Sequence, residues 1–337
     1  MLFTILLVIS ILLLVCVLVI NKKENFTNNT NDKPKLWVYL NTKYNSRNWE
    51  SFYSQSNDSH IPDYLKLCLE TIKTNCEDDF DIKLISLKNA NKYLPNLKLN
   101  EKNSEAFNKD LLAACLLNKY GGVWMPASTI VLGNVNNLYR KVVDDKLHFG
   151  GFSCDSDEYR CNLGSSFKLN QSVYMAPKNS SVAKELAHNL KELQKSHNSD
   201  YSFLKTGQDI LSKILKKWKG LVKIFPAEVN GTRDCVMKNI TEDNLLSNNT
   251  TNLLNHEKTM LVTFPREKIE DNTKYNWFTR ASKEQILLSN LWFSHLISAG
   301  LEHKDIKSWT TKQNTKDNYR WEERETVLIG KSPTRNS

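Results

Sequence analysis

One stretch constrains this chain more than any other: Asp110-Leu-Leu-Ala-Ala-Cys-Leu-Leu-Asn-Lys-Tyr-Gly-Gly-Val-Trp-Met-Pro-Ala-Ser-Thr-Ile-Val-Leu132. Leu111 to Leu117 is apolar almost all round, so a buried helix is expected there. Lys119 falls in its last turn, where a cation suits the helix dipole. Gly121 is placed as the left-handed residue that ends the helix, and Gly122 frees the backbone to turn. Val123, Trp124, Ile130, Val131 and Leu132 are strand formers. The stretch therefore reads as buried helix, Gly-Gly break and strand.

The other strong signal is Met1 to Ile20, apolar except for Thr4 and Ser10. A helix of that length reaches about 30 Å, the thickness of a bilayer core. No basic region precedes it, and Asn21-Lys22-Lys23-Glu24 follows in place of a small-residue cleavage pattern. An uncleaved, single-pass signal-anchor in a membrane is expected. Lys22 and Lys23 favour a cytoplasmic-facing domain, with the lumenal orientation as the alternative. Residues 21–33 are polar and without periodicity, a flexible stalk. Residues 34–300 are expected to form one domain and 301–337 a polar C-terminal tail.

Composition narrows the class further. Of the 337 residues 40% are hydrophobic and 10% aromatic, which is ordinary for a globular chain. The net charge of +9 is spread along the chain without an Arg-rich tract, so no nucleic-acid partner is expected. That charge implies only a general preference for anions such as nucleotide phosphates or a membrane surface. No Cys-x-x-Cys pair supports a zinc ribbon. Cys154 and Cys161 flank a polar loop and could close a disulfide in an oxidising lumen, whereas Cys115 reads as a core thiol. Sequons at Asn25, Asn28, Asn57, Asn170 and Asn230 are expected by chance in so Asn-rich a chain.

Around the central stretch, strands and helices alternate. Leu36–Leu40 reads as a buried strand, Pro62 opens a helix through Ile72, and Phe80 to Ile85 reads as a second strand. Further strands are expected at Leu147–Phe152, Ser172–Met175, Val222–Phe225 and Leu261–Phe264. Helices are expected over Asn179–Gln194, from Gly207 to Trp218, and over Ser282–Ser298, with Asn239–Glu257 as loop. The alternation predicts an α/β fold with a mainly parallel sheet flanked by helices.

Asp110, Tyr120, Gly121, Gly122, Val123 and Trp124 carry a resemblance. The pattern is similar to the sugar-nucleotide site of DXD-type glycosyltransferases with a GT-A (Rossmann-like) fold, and most of all to the capsular-polysaccharide-synthesis and mannosyltransferase-like families. Those families place an Asp at the opening of a helix, then Tyr-Gly-Gly-(Val/Ile)-(Trp/Tyr), one apolar residue and Asp-x-Asp. Here Pro126-Ala127-Ser128 stands where Asp-x-Asp belongs, and Ala113 where an Arg often follows the helix Asp.

The resemblance implies a hexosyltransferase of polysaccharide biosynthesis, which the apolar run 1–20 would anchor in a membrane. It would move a hexose from a nucleotide sugar to a glycan or polysaccharide acceptor. It implies that Asp110 meets sugar or ribose hydroxyls, with Tyr120, Gly121, Gly122, Trp124, Ser128 and Thr129 also in the substrate-binding site. Mn²⁺ or Mg²⁺ is expected for the family, but its carboxylate ligands are absent here, and hard cations need such oxygens. Asp155 and Asp157 form a second Asp-x-Asp in a polar loop, a minor metal alternative. No catalytic base is isolated by the sequence. Two rivals stand beside the enzyme: a non-catalytic sugar- or nucleotide-binding descendant, and a membrane-tethered structural protein that keeps only the fold.

Overall fold

The computed structural model describes residues 33–41, 61–100, 103–153, 169–195, 207–234, 238–248, 254 and 258–302. The apolar run 1–20, the stalk up to residue 32, Asp155, Asp157, Cys154, Cys161 and the tail from residue 303 lie outside them. Among the described residues no helix is long and apolar enough to cross a membrane.

The main sheet grows from β1 (Lys35–Tyr39), which is parallel to β2 (Asp81–Ile85) on one side and to β3 (Gly122–Pro126) on the other. β6 (Leu169–Ala176) is antiparallel to β3 and to β5 (Phe149–Ser153), and β5 is parallel to the edge strand β7 (Val222–Phe225). The order is β2-β1-β3-β6-β5-β7, with β6 alone running against the rest. β4 (Thr129–Val131) leaves this sheet and pairs antiparallel with β8 (Leu261–Thr263).

Strand alternation sorts side chains onto two faces. Trp37, Tyr39, Trp124 and Tyr174 point into a core shared with α2 (Glu105–Tyr120), α4 (Ser181–Lys195) and α5 (Gln208–Lys217). Leu36, Val38, Val123 and Met125 point the other way, toward α1 (Asp63–Cys76) and α3 (Val135–Asp144). A second core wraps the C-terminal elements around α1: Tyr64 packs with Phe264, Phe278 and Phe293, and Trp292 joins them. Those elements are α6 (Glu242–Leu245), α7 (Arg266–Glu270), α8 (Lys283–Leu288) and α9 (Trp292–Glu302). Asn75 ties α1, β4 and α9 together, its amide donating to the carbonyls of Thr71, Val131 and Gly300 at 2.9, 3.1 and 2.7 Å. Cys68, Cys76 and Cys115 are buried thiols, and burial pushes Cys76 up to about 12.

Several expectations need correction. The stretch from Val123 to Leu132 forms two strands in different sheets, because the chain bends at Ala127 and Ser128. The helix before it starts at Glu105, five residues ahead of Asp110, capped by Ser104 Oγ accepting from Phe107 N–H at 3.2 Å. The expected helix 282–298 is broken at Ser289–Leu291, where Ser289 Oγ meets Ser294 Oγ at 2.6 Å and gives the freed polar groups a local partner. The expected loop 239–257 contains α6, and α3 was not anticipated. Asn230 is fully buried, so its sequon offers no surface acceptor in the folded protein.

The Gly-Gly break has a steric cause. Gly121 has φ 68° and ψ −164°, a positive-φ extended backbone rather than the left-handed helical cap expected, and Gly122 has φ 101°. A Cβ on Gly122 would fall inside the Lys35 carbonyl oxygen, and one on Gly121 would strike the Lys178 backbone nitrogen. Gly122→Ala combines a disallowed φ with a backbone clash and is expected to cost roughly 3 kcal/mol or more. Gly220, with nothing within 4 Å of the added carbon, is the control. Gly220→Ala should stay within about 0.5 kcal/mol of the parent. Urea unfolding of both variants measures the difference; equal midpoints would show that the break tolerates a side chain.

Candidate functional site

In an open α/β sheet, ligands bind beyond the carboxyl ends of the strands. β1 ends there with Tyr39, opposite Pro126 of β3. The Tyr39 carbonyl accepts from Ala127 N–H at 2.8 Å, and its hydroxyl donates to Glu105 Oε1 at 3.1 Å. The first turn of α2 therefore stands over the end of β1. Burial, then the Glu105 carboxylate, holds the Tyr39 phenol protonated far above its ordinary range.

Asp110 lies deeper along α2 and is 7% exposed. It is past the first turn, so the helix dipole does not explain a carboxylate there. Asp110, Ala113, Ala114 and Leu117 follow the spacing of one helix face and form one wall of a small cavity. Phe149 and Tyr174 form the sheet side of that cavity, and Ala183 and Leu190 of α4 contribute another wall. It has room for about one water molecule. Burial holds the Tyr174 phenol protonated well above its ordinary range, and the Asp110 carboxylate adds to that rise and, more weakly than burial and Glu105, to the one at Tyr39.

The other residues singled out from sequence lie along the chain from the end of α2 through β3 to the start of β4. Trp124 is 2% exposed, its ring 5.5 Å from that of Tyr39, and belongs to the core beneath the site. Ser128 Oγ donates to the Phe264 carbonyl at 2.8 Å, and Thr129 Oγ1 lies 3.4 Å from Thr263 Oγ1. Both hydroxyls are thus engaged with the segment around β8. Gly121 and Gly122 lie at the amino end of β3, four residue steps or about 13 Å from Pro126. Tyr120 lies at that same end and donates to the Tyr93 carbonyl at 2.8 Å. The cavity beside Asp110 thus includes none of Trp124, Ser128 and Thr129, while Tyr120 and the two glycines build the turn at the amino end of β3.

Residues 41–225, more than half of the chain, match the family described as capsular polysaccharide synthesis protein. The chain belongs to that family. None of the curated proteins matches it in sequence. Among solved structures, the apo bifunctional glycosyltransferase WbbM is 13% identical over 85% of this chain and 52% of its own, with a TM-score of 0.42. This chain thus spans about half the length of WbbM. The galactosyltransferase LgtC, solved with donor and acceptor sugar analogs, is 12% identical over 79% of this chain and 95% of its own, with a TM-score of 0.39. The glycosyltransferase GlyE of Streptococcus pneumoniae is 9% identical over 84% and 64%, also at 0.39. The family assignment rests on the sequence match alone.

In this member of the capsular polysaccharide synthesis family the donor set at the end of β3 does not fit a divalent cation. Pro126 and Ala127 have no ligating side-chain atom, and the Ser128 hydroxyl is buried and donating to a carbonyl. Among the described residues no group of three or more His, Cys, Asp or Glu converges on a common point.

Sequence reasoning missed Tyr39, Glu105, Tyr174, Arg266 and Glu270. For Arg266 a signal existed: it follows the β8 strand directly after Pro265, a strand-end position where functional groups collect. Arg266 reaches across to donate to the Asn41 carbonyl and pairs with Glu270, which also accepts from Tyr64 Oη at 2.8 Å. This cluster pins α7 to the end of β1 and to α1. Both partners are mostly buried, at 17% and 14% side-chain exposure, so removing one strands the other. Arg266→Met is expected to cost about 3 kcal/mol, and the double change with Glu270→Leu less than the single. Chemical denaturation of the two variants decides; a double variant weaker than Arg266→Met would mean the pair is a net stabiliser.

Proposed function

We propose that this protein is a membrane-anchored glycosyltransferase that moves a hexose from a nucleotide sugar to a glycan or polysaccharide acceptor. The observation that carries the reading is the family match over residues 41–225. The buried Asp110 carboxylate, lining a small cavity with Tyr174, supports it, because a buried acceptor suits a sugar or ribose hydroxyl. Tyr120, Gly121, Gly122 and Trp124 would act by fixing the path and packing of β3. Ser128 and Thr129 would close the far side of the site through the β8 segment. Residues 1–20 would hold the domain at the membrane.

A transfer needs the sugar oriented, the departing diphosphate stabilised and the acceptor hydroxyl relieved of its proton. Asp110 serves the first need. For the second, Arg266 is close enough to act on Tyr39 and Tyr64, but Glu270 compensates its charge, so the pair presents a dipole rather than a free cation. Pro126-Ala127-Ser128 favours a second reading, a sugar- or nucleotide-binding descendant that no longer transfers.

Calorimetric titration of sugar nucleotides into the full chain in detergent, first with EDTA and then with Mn²⁺, tests both. Binding is expected in EDTA, changed less than about threefold by Mn²⁺, and weakened about tenfold or more by Asp110→Ala. Donor hydrolysis or transfer to an acceptor separates the enzyme from the binding descendant. Absence of any binding would sink both readings, and strict Mn²⁺ dependence would place metal ligands elsewhere in the chain, with Asp155 and Asp157 the first to replace. Recovery of the chain in the soluble fraction after cell lysis would rule out the anchor.

A further inference from the structure

The cavity beside Asp110 has a second polar group on its wall. Tyr174 is 4% exposed, and its hydroxyl has no hydrogen-bond partner among the described residues. A buried hydroxyl left in that state destabilises a fold, so its retention calls for a partner the free protein does not supply. The ring is not free to seek one. Its backbone pairs with Trp124 on one side and Gly151 on the other, and its ring packs 5.6 Å from Phe149. Burial, then the Asp110 carboxylate, keeps the phenol protonated well above its ordinary range, so it is a permanent donor. Ala113, Ala114, Leu117 and Leu190 make the remaining wall apolar and leave room for about one water. One donor, one acceptor and space for a single small group match one arm of a sugar, not a ring.

We propose that Tyr174 is a sugar-binding residue: its hydroxyl donates to a hydroxyl of the donor sugar that enters this cavity, and Asp110 accepts from that hydroxyl or its neighbour. The proposal rests on the glycosyltransferase reading of the same site. It makes the cavity a discriminating one, since a hydroxyl satisfies the Tyr174 phenol whereas a deoxy position does not. An acetamido group is too large for a space of one water.

Tyr174→Phe removes the oxygen alone. It is prepared in the full chain with Ala114→Leu, which fills the cavity from the helix and keeps both polar groups. Both are titrated with UDP-glucose, UDP-galactose and GDP-mannose, and with UDP and GDP alone, and their thermal unfolding is followed. The parent is expected to bind at least one sugar nucleotide. Each variant should bind that ligand about tenfold more weakly and the nucleoside diphosphate unchanged. Tyr174→Phe should unfold at an equal or higher temperature than the parent, because an unpaired hydroxyl has gone. Unchanged affinity in Tyr174→Phe overturns this proposal and leaves the wider reading standing. A loss shared equally by the nucleoside diphosphates, or a lowered unfolding temperature, overturns it in favour of a structural hydroxyl satisfied by trapped water. A parent that binds no sugar nucleotide overturns both.

Discussion

The close approach of the Gly121-Gly122 backbone to its neighbours governs the rest of the architecture. Gly122 lies against the Lys35 carbonyl and Gly121 against the Lys178 amide, so β3 can enter between β1 and β6 with no side chain in the way. That entry sets the register Trp37↔Trp124 and Trp124↔Tyr174, which stacks three aromatic residues on the face beneath α2. A slip of β3 by one residue would send Trp124 to the opposite face, where the packing is aliphatic, and break the row. Since α2 ends where β3 begins, the same turn also fixes how α2 lies over the sheet, and with it the depth of Asp110.

How much of this could be read from the residues depends on how local the cause was. β1, β2 and β7 carry continuous apolar patterns and were legible to within a residue at each end, and the periodic pattern of α1 gave its start but not its last turn, to Cys76. The antiparallel course of β6 was not legible, because pairing direction is set by its partners β3 and β5 and not by the residues Leu169 to Ala176 themselves. The separation of β4 from β3 was hidden for a related reason. Thr129-Ile130-Val131 has strand composition, but its partner β8 lies more than a hundred residues away, and the bend at Ala127-Ser128 exists to reach it. Asp110 could be found because it stands at a fixed distance before Tyr-Gly-Gly. Tyr174 could not, since what distinguishes it is an oxygen without a partner among the described residues, and Arg266 carried only the signal of its place just past β8, not its reach to the Asn41 carbonyl.

The charges at the carboxyl end show a consistent economy. Tyr39 is neutralised into a hydrogen bond with Glu105, and Arg266 is divided between Glu270 and the Asn41 carbonyl. Each polar group there holds down a segment: α2 in the first case, α7 in the second. Tyr174 breaks this pattern. In a core where neighbouring hydroxyls such as those of Tyr39, Tyr64 and Tyr120 each have an acceptor, one without is a deviation with a stability cost. Deviations of that kind gather where a fold is arranged for something other than its own stability.

The same logic bears on the Pro-Ala-Ser segment. If a carboxylate had simply been lost from an otherwise unchanged site, its place would be open and polar. Instead Ser128 is 5% exposed and donates to the Phe264 carbonyl, while Thr129 meets Thr263, so the β8 segment is fastened over the end of β3. Asp at 128 would set a carboxylate against that carbonyl with no donor between them, and the strand end would have to open before any cation could be held. Pro126 further removes a backbone donor at the last position of β3. Pro126-Ala127-Ser128 is therefore a packed strand end, and placing acidic residues there without loosening β8 would add desolvated charge faster than it could add metal affinity.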